Sequence, residues 1–215
     1  MANVPITLHH PLAPEDQARA DFYALLARLY ADAPDAALLA AIASAPPLSA
    51  ATLTDETAAS AGGLAAAWDA LRAASAAMDP EAAGQEYTEL FVGVGRSEVN
   101  LHLSHWLTGH MMEKPLAELR GRLAELGLGR HPGAVILEDH LSALLETMRI
   151  LVAGQDDRRP APIGEQRAFF RDHIDGWVFR CCDAISDCQL ANYYRRVAEL
   201  TKFFLALERD SFAME

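Results

Sequence analysis

Apolar residues in this chain recur at helical spacing, and that spacing decides its fold class. Leu141, Leu144, Leu145, Met148, Leu151 and Val152 fall at the positions that share one face of a helix. Phe22, Leu25, Leu26 and Leu29 repeat the pattern early in the chain, and Leu190, Tyr194, Val197, Leu200, Phe204 and Leu207 repeat it late. No Asn-Gly or Asp-Gly pair sits between alternating strands. Alanine, the best helix former, supplies much of the 51% hydrophobic fraction, and β-branched residues are scarce. The chain is therefore expected to be all-α. Its 215 residues suffice for one domain that buries roughly 70% of its unfolded surface without a disulfide or metal.

Punctuation places the helices. Pro14 fits the first helical position, with Glu15 and Asp16 in the first turn, so helix is predicted from Pro14 to about Tyr30. A short helix follows from Ala36 to Ala43. Thr54 or Asp55 caps a third, weakened by Gly62-Gly63, and Asp79-Pro80-Glu81 is a strong fourth start. Residues 96–100 are a polar connector. Helix is expected from Leu101 to Met112, from Pro115 to Gly127 or Gly129, and from Glu138 to about Ala153. His131-Pro132-Gly133 marks a hinge, and the stretch from Gly154 to Ile163 an exposed loop. Two long amphipathic helices finish the chain, the first carrying Phe169, Phe170, Ile174, Trp177, Val178 and Ile185.

Several function classes are excluded. A net charge of −12 argues against a nucleic-acid binder and fits a basic partner. Met1 to Pro11 has no charged start and no apolar run, which predicts no signal peptide. No segment has the length of a membrane span, so no membrane insertion is expected. Cys181, Cys182 and Cys188 form no disulfide framework and no zinc pattern, which suits reduced thiols in the cytoplasm. There is no GxSxG, Walker loop or dinucleotide fingerprint, so an enzyme is the weaker hypothesis and no cofactor is expected. His102 and His105 are half a metal site at most; a histidine-based metal protein or enzyme, and a helical oligomerisation module without a client, are the alternatives.

Three blocks carry the functional signal. In Glu86-Tyr87-x-x-Leu90-Phe91, followed by Val92-Gly93-Val94-Gly95, Tyr87, Leu90 and Phe91 share a face beside a glycine-opened turn. Ser104-His105-Trp106-Leu107-Thr108-Gly109 mixes aromatic, imidazole and hydroxyl groups. Glu138-Asp139-His140 sets three ionisable residues at a helix start, where unpaired N–H groups favour negative charge.

In this order the blocks resemble the TorD/DmsD/NarJ superfamily of redox-enzyme maturation chaperones, closest to its TorD-like branch. Glu86 to Phe91 is similar to the E-x-Y-x-x-L-F block. Ser104 to Gly109, continuing through Glu113-Lys114-Pro115-Leu116 to Leu126-Gly127-Leu128, resembles the S-x-Y-L-T-G block and its Gly-Leu helix stop. Glu138-Asp139-His140-Leu141 resembles the E-D-H-hydrophobic signature, and Phe169-Phe170, His173, Trp177, Tyr193-Tyr194 and Phe204-Leu205 follow the C-terminal pattern. Two departures stand out: Arg96 to Asn100 lacks the usual prolines, and Val135-Ile136-Leu137 replaces a polar lead-in.

The resemblance implies a single helical domain of two lobes, with an N-terminal lobe over 1–130, a hinge over 131–137 and a C-terminal lobe over 138–215. It implies a cytoplasmic, non-catalytic chaperone. Its partners would be the apo catalytic subunit of a molybdenum-cofactor oxidoreductase and that subunit's twin-arginine leader, which it holds from export until cofactor insertion. It also implies Asp139 and His140 as a cleft pair, with Glu138 contributing charge. Tyr30, Tyr87, Leu90, Phe91 and Trp106 would form an apolar wall, and Ser104 would orient its helix through a backbone hydrogen bond. Both a monomer and a homodimer exchanging its C-terminal helices fit a hinge between two packable halves.

Overall fold

A computed structural model describes residues 12–48, 55–93, 95–131, 133–155 and 158–214. Among these, ten α-helices and two π turns are found and no strand. The helices are α1 (Pro14–Ala31), α2 (Ala36–Ser44), α3 (Asp55–Ala77), α4 (Pro80–Tyr87), α5 (Leu103–Thr108), α6 (Lys114–Glu125), α7 (Leu141–Ala153), α8 (Ile163–Phe170), α9 (Val178–Asp187) and α10 (Tyr193–Ala213). The π turns, Thr88–Val92 and Arg171–Asp175, extend α4 and α8. Thr54, Val94 and Pro132, named above as a cap, a turn residue and a hinge residue, lie outside the described residues, as do residues 1–11.

Side-chain caps start α2 and α4. The Asp35 carboxylate accepts the Leu38 amide at 2.8 Å, and Asp79 accepts the Glu81 and Ala82 amides. α3 runs through Gly62-Gly63, and Gly63 lies so close to the Phe203 ring of α10 that a Cβ there would clash. Helices from both sides of residues 131–137 share one core, with α1 packed along α7 and α3 along α10. Arg19 of α1 and Glu208 of α10 add a buried ion pair at 2.7 Å, and the Tyr23 hydroxyl donates to the same carboxylate.

Three expected helices differ in extent. The segment from Leu101 to Met112 is helical only over Leu103–Thr108; Gly109, at φ +80°, ends it. The helix expected from Glu138 begins at Leu141, with Glu138 and Asp139 in the preceding turn. The long helix through Phe169 and Ile185 is broken in two. A π turn lowers the register, and the Trp177 indole donates to the His173 carbonyl at 2.9 Å instead of continuing the helix outward.

Candidate functional site

The Glu138-Asp139-His140 turn ties two helix starts to each other and to the middle of a third helix. Residues 101–103 and 139–141 run antiparallel and touch through a single bridge, His102 to His140. The Leu103 amide donates to the Asp139 carbonyl at 2.9 Å, and the Leu141 amide to the Leu101 carbonyl at 2.8 Å. Two helix starts, α5 and α7, are thus docked against each other.

Asp139 completes the start of α5. Its Oδ2 accepts the Ser104 amide at 3.1 Å and the Ser104 hydroxyl at 2.5 Å. His102, the residue before α5, offers no side-chain cap. A carboxylate 35 residues away satisfies an amide that no local side chain reaches. Asp139 is 0% exposed, and its Oδ1 has no hydrogen-bond partner among the described residues. The Ser104 hydroxyl bonds this side-chain carboxylate, where a backbone partner was expected.

His140 performs the same task for α7. Its Nδ1 accepts the Ser142 amide at 3.2 Å, which requires a neutral ring with its proton on Nε2. Burial, and then the neighbouring His102, lower its pKa to about 3. The two imidazoles meet edge to face at 4.9 Å. Burial also lowers the pKa of His102. Glu138 makes the third tie. It accepts Nε and Nη2 of Arg120 on α6 at 3.1 and 2.9 Å. Those bonds hold its carboxyl below the usual range.

The remaining expected residues gather elsewhere. Tyr30 and Leu90 are wholly buried, and Tyr87 and Phe91 half-buried, around Tyr194. Here the Tyr87 hydroxyl caps the end of α1 by donating to the Ala31 carbonyl at 3.0 Å. Trp106 stands apart from that cluster, its indole donating to the Asn100 carbonyl at 2.7 Å. The structure thus joins Asp139 to Ser104 and Tyr30 to Tyr87 and Phe91, and it does not bring the two groups into one wall.

Glu86 carries a role that the sequence did not assign. Its carboxylate accepts the Asn192, Tyr193 and Tyr194 amides at 2.8 to 3.0 Å and caps α10. A signal existed: Glu86 falls on the same dry face as Ala83 and Leu90, and a carboxylate there requires donors.

Beside the tied turn lies an apolar groove of about 340 Å³ between α7 and the chain from 128 to 138. Leu123, Leu128, Ile136 and Ile150 line it, and Glu138 and Glu146 supply its carboxylates. Among the described residues, no three His, Cys, Asp or Glu side chains come together as a metal-binding set. No helix among them is long and apolar enough to cross a membrane. The three cysteines are unpaired, and burial pushes the Cys182 thiol up to about 12, away from thiolate chemistry.

The family model described as nitrate reductase delta subunit matches residues 57–183. The chain belongs to that family. The matched span is more than half of the chain and contains all three blocks: Glu86 to Phe91, Ser104 to Leu128, and Glu138 to Leu141. This nitrate reductase delta family, of the NarJ/TorD type, is one of molybdoenzyme maturation chaperones. No curated protein matches the chain. Within the family's signature, Glu86, Asp139 and His140 are helix caps in this chain.

Proposed function

We propose that this protein is a cytoplasmic maturation chaperone that binds the twin-arginine leader of a molybdenum-cofactor oxidoreductase, its apo catalytic core, or both. It delays export until the cofactor is in place and transforms neither partner. The observation that carries this reading is the groove beside the Glu138-Asp139-His140 turn. Its apolar walls, Leu123, Leu128, Ile136 and Ile150, suit the uncharged middle of a leader. Overall net charge of −12 adds attraction for such a segment.

In this account Asp139 and His140 serve the client from behind. They fix α5 and α7, and the half-buried Glu138 is the member of the trio that faces the groove. Tyr30, Tyr87, Leu90, Phe91, Ser104 and Trp106 hold the scaffold. Exchange of C-terminal helices about residues 131–137 belongs to the same proposal. In such a dimer α7 and α10 would pack on α1 and α3 of a second copy.

The test is titration of a fluorescent leader peptide into the wild type and Ala143→Phe. Ala143 lines the groove from the first turn of α7, and a phenyl ring there projects into it. Binding to the wild type and its loss in a folded Ala143→Phe variant is the expected result. Equal binding by both proteins removes the groove from the account.

A further inference from the structure

A second groove, of about 420 Å³, runs between α5, α6 and the π turn at Arg171–Asp175. α6 presents Pro115, Glu118, Arg122 and Glu125 to it at successive turns. The same helix turns Leu123 toward the first groove and pairs Arg120 with Glu138. Leu103 and Leu107 form the apolar side, and Leu107 is 49% exposed.

The free hydrogen-bonding capacity here differs from that of the first groove. Glu146 holds Arg149 through both of its oxygens, as Glu138 holds Arg120. Glu118 and Glu125 are each held through one oxygen only, by Lys114 at 3.1 Å and Arg122 at 3.0 Å. Both pairs are solvent-exposed, and such pairs exchange partners at little cost. His173 lines the groove from the π turn and is only 9% exposed. No described residue hydrogen-bonds its ring nitrogens, and burial lowers its pKa, so the ring is neutral and one nitrogen accepts.

We propose that this second groove is the arginine subsite of the leader, an inference that rests on the function proposed above. A guanidinium is flat, presents its faces to apolar walls, and has five N–H donors at its edge. Leu103, Leu107 and Pro115 supply the walls; Glu118, Glu125 and the His173 nitrogen supply acceptors at the edge. The π turn is what brings His173 and Asp172 to α6, and π turns recur at functional sites. An extended peptide crosses the roughly 10 Å width of a helix in about three residues. α6 lends residues to both grooves, so a segment that crosses it would lay its apolar run in the first and its arginines in the second.

The experiment uses synthetic peptides with two adjacent arginines before a leucine–alanine run, and the same peptides with two glutamines or two lysines. The wild type is expected to prefer arginine to glutamine by about five- to tenfold, with lysine between. Glu118→Gln/Glu125→Gln alters two exposed side chains, leaves the core intact, and should bring the three peptides to near-equal affinity. Ala143→Phe should weaken all three alike and keep the ratio. An unchanged arginine preference in the double variant overturns the subsite while leaving the chaperone reading in place. A wild type that binds none of the peptides overturns both.

Discussion

Asp139 and Ser104 are bonded twice through one oxygen, hydroxyl and amide both meeting Oδ2. This pair fixes the start of α5 from 35 residues along the chain, so its loss should be felt as stability. Asp139→Ala leaves a buried hydroxyl and amide without a partner, each costing about 1–3 kcal/mol. Asp139→Asn keeps one acceptor and should cost less, and Ser104→Ala less again than Asp139→Ala. Urea unfolding of the three variants checks the order.

Glu86 predicts a local effect at a distant helix. Glu86→Ala removes the acceptor for three amides at the start of α10. A lost cap of this kind costs about 1–2 kcal/mol, with more for the buried position. Amide hydrogen exchange at residues 192–194 should accelerate more than exchange in α6. Uniform acceleration throughout the chain would contradict a capping role.

Acid should weaken the fold before the carboxylates titrate. His140 is neutral when folded, with its pKa held at about 3 against an ordinary 6.5. The unfolded chain therefore binds the extra proton as pH drops below about 6.5. His140's contribution is complete above that value and falls as pH falls toward 3, by up to about 1.4 kcal/mol per pH unit. His102 and His173, also lowered, act in the same direction. His140→Asn keeps a capping acceptor without the titration, and its stability should fall less between pH 7 and pH 5. Parallel pH profiles for variant and wild type would contradict this origin.

Much of the fold was legible because its signals are local. Pro14 and Asp79 announce helix starts within a turn of themselves, and the structure begins α1 and α4 where they say. The site was harder to read. Glu138-Asp139-His140 looks like a helix's own charged first turn, yet the carboxylate of Asp139 belongs to α5 and that of Glu138 to Arg120 of α6. No spacing rule announces a cap supplied from 35 residues away. The π turn at Arg171–Asp175 and the break after it, where the Trp177 indole bonds the His173 carbonyl, leave no mark in the apolar periodicity. Glu118, Glu125 and His173 escaped for the same reason: only tertiary packing brings α6 and the Arg171–Asp175 turn together.

The most direct test of the account is amide hydrogen exchange of the full chain with and without a twin-arginine leader peptide. Slowed exchange is expected along α7 and residues 128–138, and along α6 and the Arg171–Asp175 turn, with the α2–α3 face unchanged. Protection confined to α2 and α3, or no protection at saturating peptide, would contradict it.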